Sequence, residues 1–286
     1  MRVNLIVNLY RPDAIRAAKA AADWLRSRGY EVGSDREGAS SIGTMAFGPD
    51  QLAKADLMIT FGGDGTLMRA AHLCAPTGTP ILGVYFGRFG FVTQVKPEET
   101  GAALSQFIDG QATIVDRMMV QTELIREDKV VAVLHSLNEA AVQRSATTRM
   151  LTFDTRVNGR QLSRYPADGV MVSTPTGSTA YALSAGGPVV DPSMEAIVIT
   201  AIMPHTLSAR PLVLRSDAVV EVRVETRGDA VLSCDGQSRL HMLSGDLVRV
   251  TKSPRKTRLV SIDESDFLEK LSERLQWSQG RREDDN

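Results

Sequence analysis

An apolar run, Ala55-Asp56-Leu57-Met58-Ile59-Thr60-Phe61, stops at Gly62-Gly63-Asp64-Gly65-Thr66, and a helix-forming stretch opens at Leu67-Met68-Arg69-Ala70-Ala71. A buried strand that passes through a glycine turn into a helix commits this part of the chain to α/β packing. Three glycines in four positions, Gly62, Gly63 and Gly65, let a ligand come close to the backbone and predict a turn through φ > 0. The N–H groups that open the helix then face the ligand, backed by the positive end of the helix dipole, an arrangement that suits phosphate. Asp64 is an odd choice for a site that only holds an anion. It makes sense if the carboxylate accepts a proton from an attacking hydroxyl or holds a metal ion. The same five residues also fit a plain tight connection, so the rest of the chain has to decide.

Strand and helix patterns alternate over residues 1–111. They comprise a strand at 3–8, a helix from about Asp13 to Arg28 with Pro12 near its first turn and Gly29 behind it, the strand 55–61, a helix 66–75, a strand 81–85 and a helix near 97–109. This predicts a parallel sheet covered on both faces, with ligands outside the carboxyl ends of its strands. From residue 112 to 262 short β-rich runs follow one another, at 112–126, 129–136, 149–157, 169–174, 196–202, 218–225, 230–234, 247–252 and 257–262. Turn residues such as Asn158-Gly159 separate them, and an all-β, sandwich-like domain is predicted. The segment 263–286 carries an amphipathic helix, Asp266 to Trp277, too short to stand alone and expected to pack back on a domain.

The formal net charge of −1 gives no reason to expect nucleic acid or an anionic membrane as partner. The longest apolar run, 196–203, is less than half a membrane span, and the N-terminal apolar stretch is too short for a signal sequence, so the chain reads as soluble and cytoplasmic. Cys74 and Cys234 have no ligand-like spacing and fit a reducing compartment. There are 7 Lys against 26 Arg, with no Lys between Lys54 and Lys96, so a Walker A Lys-Ser/Thr pair is missing after the glycines. Phosphates here would have to be neutralised by backbone amides, a metal ion and Arg69 or Arg88. The first strand–helix turn, Asn8-Leu9-Tyr10-Arg11-Pro12, also lacks the G-x-G-x-x-G dinucleotide fingerprint.

Two further motifs lie in the β-rich half. In Asp168-Gly169-Val170-Met171-Val172-Ser173-Thr174-Pro175-Thr176-Gly177-Ser178-Thr179-Ala180-Tyr181 a strand ends in a turn with five Ser/Thr among seven residues, and a helix Ala180 to Ala185 follows. One hydroxyl is explained by an N-cap; five favour a loop that grips adenine or ribose, with the Tyr181 ring available for stacking. Asn138-Glu139 follows the strand 130–136, and an amide beside a carboxylate suits a purine edge and a ribose diol respectively.

Taken in order, Gly62-Gly63-Asp64-Gly65-Thr66, Gly83-Val84-Tyr85-Phe86-Gly87-Arg88-Phe89-Gly90-Phe91, Asn138-Glu139 and Thr174-Pro175-Thr176-Gly177-Ser178-Thr179-Ala180-Tyr181 resemble NAD kinases. Pro204-His205-Thr206-Leu207-Ser208-Ala209-Arg210-Pro211 and Cys234-Asp235-Gly236-Gln237 add to the match. The resemblance spans residues 55–240. It implies an α/β N-terminal domain, a β-sandwich C-terminal domain and a C-terminal segment that returns to the first. The activity it implies is transfer of a phosphoryl group from ATP or polyphosphate to the 2′-hydroxyl of the adenosine ribose of NAD, in a homodimer or homotetramer. It makes Asp64 the proton acceptor, with Gly63, Gly65 and Arg69 as nucleotide contacts and Met68 and Phe91 as an apolar wall. Asn138 and Glu139 would hold the adenosine of NAD. Asp168, Thr176 and the run Thr179-Ala180-Tyr181-Ala182-Leu183-Ser184 would line the same substrate, and Arg149 and Gln237 would add polar contacts. Mg²⁺ or another divalent ion would enter with the donor phosphates rather than on a dedicated protein ligand set, with Asp64 as an available oxygen. The chain departs from the family pattern at Tyr85, where Asn is usual, and at Pro166, where a basic residue is usual and Arg164 is the nearest substitute.

Lipid kinases of the diacylglycerol and sphingosine type share the Gly-Gly-Asp-Gly-Thr turn. This chain lacks both their Gly-Thr-x-Asn-Asp segment and the Thr-Ile-Asp-Asn-Asp-type loop of phosphofructokinases. A non-catalytic NAD(P) sensor is the other alternative, and a carboxylate facing phosphate counts against it. His72 reads as a packed or surface histidine, His205 as a turn-stabilising side chain or a site-edge residue, and His135 and His241 have no companions at ligand spacing.

Overall fold

The computed structural model describes residues 1–87, 90, 92, 95–145, 150–225, 229–262 and 267–275. The chain divides into two compact units, Met1–Val115 with Arg258–Asn286, and Asp116–Thr257.

In the first unit, strands β1 (Arg2–Val7), β2 (Glu31–Ser34), β3 (Met45–Ala46), β4 (Leu57–Gly62) and β5 (Ile81–Tyr85) pair in parallel in the order β3-β2-β1-β4-β5. The central strands are mostly apolar with nearly every residue buried, as a parallel sheet covered on both faces requires. The helices are α1 (Pro12–Ser27), α2 (Arg36–Ile42), α3 (Pro49–Ala53), α4 (Asp64–Cys74) and α5 (Thr100–Ile108). Pro12 opens α1 and Asp13 occupies its first turn; the helix buries Leu25 and the small residues Ala14, Ala18, Ala21 and Ala22, which let it lie close to the strands. The segment 31–53 carries β2, α2, β3 and α3, none of which the sequence pattern announced, because runs of two to seven residues are too short to display a period. After β1 the chain moves outward to β2 and β3, then returns to β4 on the other side of β1. The connections leaving β1 and β4 therefore diverge, which is where an open α/β sheet forms its ligand crevice.

The second unit is built on β6 (Thr113–Arg126), β7 (Lys129–Ser136), β8 (Glu139–Arg144), β9 (Leu151–Val157), β10 (Arg160–Ala167), β11 (Gly169–Ser173), β12 (Ala196–Ile202), β13 (Leu212–Arg215), β14 (Val220–Glu225), β15 (Ala230–Cys234), β16 (Ser238–Met242) and β17 (Leu247–Ser261). One antiparallel sheet runs β13-β12-β11-β8-β15-β16; a second carries β10-β9-β14-β17, with β6 and β7 joined to it through β17. Alternate residues of the two sheets share one apolar core: Ala140, Val142, Val170, Val172, Ile197 and Leu232 from the first, and Val120, Phe153, Val220, Val222, Val224, Val248 and Val250 from the second. This is a sandwich. Residues 247–252 and 257–262, expected as two strands, are one strand of fifteen residues. Ser253-Pro254 reads as a break in the sequence, but Ser253 Oγ accepts the Arg255 N–H at 2.9 Å, so the donor next to the proline is satisfied without leaving the strand. At its far end β17 belongs to the first unit, where Leu259 pairs in parallel with Ile81 of β5. The short helix α6 (Tyr181–Ser184) follows β11, and α7 (Phe267–Leu275) lies in the C-terminal segment of the first unit. No helix among the described residues is long and apolar enough to cross a membrane. Both cysteines are free thiols, and burial pushes them up, Cys74 to about 12 and Cys234 to about 11.

Candidate active site

The glycine turn is tighter than its sequence suggests. Strand β4 runs through Gly62 and α4 begins at Asp64, so Gly63 alone is the connection. None of Gly62, Gly63 and Gly65 adopts positive φ, contrary to the expectation from the sequence; Gly63 sits at φ −107°, ψ −168°. The first glycine answers a packing need instead. A Cβ at Gly62 would stand 2.2 Å from Thr66 Oγ1 and 3.2 Å from Asn8 Cβ, so its bareness lets α4 and the β1 turn close on β4. Gly63 and Gly65 have nothing within 4 Å of where a Cβ would be, so that side of the turn is open backbone. Asp64 is the first residue of α4, half-buried, where the first-turn amides lack intrahelical acceptors. Met68, expected on a substrate wall, is only 5% exposed and is a core residue of α4. Arg69, expected on phosphate, is engaged by the Asp35 carboxylate at the end of β2. Arg88, Phe89 and Phe91 lie outside the described residues, as does Arg149.

In the second unit the dipeptide Asn138-Glu139 is fixed from two sides. The Asp235 carboxylate accepts the backbone N–H groups of Leu137, Asn138 and Glu139 at 2.7, 2.8 and 2.9 Å, and the Asp235 N–H returns a bond to the Glu139 carbonyl at 3.0 Å. Asp235 holds φ of 51° and Gly236 φ of 67° in the hairpin turn between β15 and β16, which aims the carboxylate at three consecutive amides. From the other side, Thr174 N–H donates to the Asn138 carbonyl and Thr174 Oγ1 to the Leu137 carbonyl at 2.5 Å. A Cβ on Gly177 would lie 2.1 Å from the Asn138 carbonyl oxygen, so that glycine lets the turn rest directly on the Asn138 peptide.

Held this way, Glu139 is 8% exposed, and its Oε2 has no hydrogen-bonding partner. Burial, with repulsion from Asp235 second, pushes its pKa up to about 8. The Asn138 side chain, half-buried beside it, makes no hydrogen bond among the described residues. The dipeptide thus sets a buried carboxyl with an unmet oxygen next to an amide side chain without a bond among the described residues.

In the hydroxyl-rich run, side chains bond to their own turn. Gly177 N–H bonds Thr174 Oγ1, Ser178 Oγ donates to the Pro175 carbonyl at 2.6 Å and accepts the Val190 N–H at 3.0 Å, and Thr179 Oγ1 donates to the Thr176 carbonyl. Three of the five hydroxyls therefore shape the turn itself, a 3₁₀ segment over Thr176–Thr179, and Thr176 is buried within it. Beyond it, Tyr181 is 40% exposed and Ser184 is exposed. Ala180 and Leu183 are half-buried, while Ala182 packs with Ala141, Met171 and Ile202 in a small core and does not line an open surface. Asp168 is taken up by Arg144, whose Nε donates at 2.6 Å to Oδ1 and Nη2 at 3.4 Å to Oδ2. Gln237 is exposed at the β15–β16 turn. His205 donates its backbone N–H to Pro166 on the edge strand β10, where a residue lacking an N–H is tolerated. Sequence patterns assign Asp235 no role, though it lies in the matching Cys234-Asp235-Gly236-Gln237 segment and its Asp-Gly pair suits a hairpin, and they do not single out Arg144.

Residues 3–112 match the ATP-NAD kinase N-terminal domain and residues 137–262 the ATP-NAD kinase C-terminal domain. The chain is 37% identical to the NAD kinase of Moorella thermoacetica over all of its length and 92% of that protein, and 38% identical to that of Heliobacterium modesticaldum over 98% and 99%. Among solved structures it is similar to yeast NADH kinase complexed with NADH, with a TM-score of 0.93 at 26% identity, covering 100% of this chain and 90% of that one. The fold is shared as well with an NAD kinase from Archaeoglobus fulgidus in complex with ATP, with a TM-score of 0.78, covering 96% and 99%. A bare glycine turn that starts a helix on an aspartate, a locked Asn-Glu pair and full-length relatives thus converge: the chain belongs to the NAD kinase family and is a phosphotransferase that acts on NAD.

Proposed function

We propose that the protein transfers the terminal phosphoryl group of ATP or polyphosphate to the 2′-hydroxyl of the adenosine ribose of NAD, forming NADP. The observation that carries this reading is Asp64, the only carboxylate in the first turn of α4, standing between two glycines whose side-chain space is empty. Donor phosphates rest on the open amides around Gly63 and Gly65. The 2′-oxygen attacks the terminal phosphorus, the bond to the leaving phosphate oxygen breaks, and Asp64 accepts or orients the hydroxyl proton. Asn138 meets the purine edge, Glu139 the ribose hydroxyls, and Tyr181 offers a ring for stacking. Among the described residues no three His, Cys, Asp or Glu side chains group as a metal site. Mg²⁺ commonly binds through one or two carboxylates and the substrate phosphates; Asp64 supplies such an oxygen here, and the bound ion would offset phosphate charge. Relatives named for both NAD and NADH leave either redox form as acceptor. A homodimer or homotetramer in the cytoplasm completes the proposal.

The test is NADP formation from NAD with ATP and Mg²⁺, repeated with polyphosphate and with NADH. Asp64→Asn is expected to fold and bind NAD as the wild type does, and to lose at least roughly a hundredfold in kcat, the lower range for a positioned acid–base group. Near-normal turnover of that variant would remove Asp64 from the mechanism. Binding of NAD without product in the wild type would favour a sensor.

A further inference from the structure

The first unit holds a pocket of about 450 Å³ whose lining does not include Asn138, Glu139 or Tyr181. It opens where the connections after β1, β2 and β4 meet, and its lining includes Asn8, Tyr10, Asp35, Glu37, Gly65 and Arg69. That is the crevice at the reversal of strand order, where open α/β sheets take nucleotides. Gly65 belongs at once to this wall and to the glycine turn, so the pocket continues directly from the amides assigned to the donor phosphates.

Its chemistry is wrong for more phosphate. Two carboxylates, Asp35 and Glu37, face it against one guanidinium, Arg69, which is already paired with Asp35. A polyanion would be repelled, whereas a nucleoside brings a hydroxyl pair and an exocyclic amine that donate to carboxylates. Asp35 stands at the end of β2, where dinucleotide-binding sheets carry the acid that takes the ribose hydroxyls. It is fixed there as the N-cap of α2, accepting the Gly38 N–H at 2.8 Å, and by Arg69. Glu37 is exposed and makes no side-chain hydrogen bond among the described residues. Tyr10 is 97% exposed at the rim, its backbone N–H held by the Asn8 side chain, so a planar base has a face to stack on.

We propose that this pocket takes the nucleoside end of the phosphoryl donor, with Asp35 and Glu37 on the ribose hydroxyls and Tyr10 against the base, and that it selects a nucleoside triphosphate over a bare polyphosphate chain. The proposal rests on the kinase reading in assigning donor phosphates to the glycine turn. The test is calorimetric binding of the non-transferable analogue β,γ-imido-ATP with Mg²⁺ at saturating NAD, and of NAD alone, to the full chain and to the Tyr10→Ala and Glu37→Gln variants. Both positions are exposed, and thermal unfolding checks that the variants fold. Each variant is expected to weaken analogue binding about tenfold, the scale of one lost base stack or charge-assisted hydrogen bond, with NAD affinity unchanged. In turnover the KM for ATP rises by the same factor while kcat, the KM for NAD and the KM for polyphosphate hold. Unchanged analogue binding, or a loss that falls on NAD instead, overturns the pocket assignment. A wild type that binds the analogue but makes no NADP overturns the kinase reading and leaves the pocket assignment standing.

Discussion

Glu139 carries the strongest perturbation of a carboxyl in the described chain, and it sits on a residue pair visible in the sequence. Its folded form keeps the proton up to about 8, against an ordinary value of 4.5, because burial penalises the charge and Asp235 adds repulsion. The folded state therefore binds more protons than the unfolded state between those two values, and stability falls as pH rises through that window, flattening above it. Glu139→Gln removes the dependence. The variant should gain on the wild type from pH 5 to pH 8, by up to about 1.4 kcal/mol per pH unit. Thermal unfolding of both proteins across that range checks it, and parallel curves would show that burial does not hold the proton. If Glu139 takes the ribose hydroxyls as an acceptor, NAD binding draws off the same proton, so affinity for NAD rises with pH up to about 8. Calorimetry in buffers of different ionisation enthalpy would report the released proton, and an affinity that falls with pH would make Glu139 a donor instead. The pair was legible as chemistry, but the residue that holds it was not. Asp235 acts by accepting three backbone amides almost a hundred positions away in the chain, and no local pattern records a bond of that kind.

At the scale of elements, the two glycine-bearing turns show that one residue type serves opposite purposes. Gly62 and Gly177 are bare so that protein can approach, and Gly63 and Gly65 are bare so that protein stays away. Substitution separates the two. Gly177→Ala drives a methyl group into the Asn138 peptide, which cannot rotate aside as a side chain can, and should cost about 2 kcal/mol or more together with NAD affinity. Gly62→Ala meets the Thr66 side chain and should destabilise less. Gly63→Ala meets no atom within 4 Å, so the unfolding temperature should hold while NADP formation drops, because the methyl group occupies the face assigned to phosphate. Unfolding curves and turnover on the three variants decide the matter; a destabilised Gly63→Ala with normal turnover would reverse the assignment. The sequence showed where these turns lie, since glycine clusters mark them. It could not show which glycine meets protein and which faces open space, because that depends on the neighbour opposite. The same limit applies to Ser178 and Thr179, whose hydroxyls donate to carbonyls of their own turn, bonds that the run of Ser and Thr did not reveal.

For the whole molecule, composition and alternation were enough to read an α/β unit and a β sandwich, because parallel buried strands and half-exposed sandwich strands leave different periods. They were not enough to locate the division, since it falls inside β6 and β17, where strand pattern continues across it. β17 is one covalent element with two structural duties. Val248 and Val250 lie in the sandwich core, while Leu259 and Val260, 3% and 2% exposed, are buried in the first unit beside β5, where the Arg258 side chain also donates to the Gly78 carbonyl at 2.9 Å. The two halves of the strand should therefore be separable by mutation. Leu259→Ala removes apolar volume from the first unit and should cost about 2–4 kcal/mol there. Native-state hydrogen exchange should show lost protection at β4 and β5 with the amides of β14 and β15 unchanged, and Val250→Ala should give the reverse pattern. If either variant lowered protection equally throughout the chain, the units would unfold as one, and β17 would act as a single cooperative strut rather than as two local packing segments.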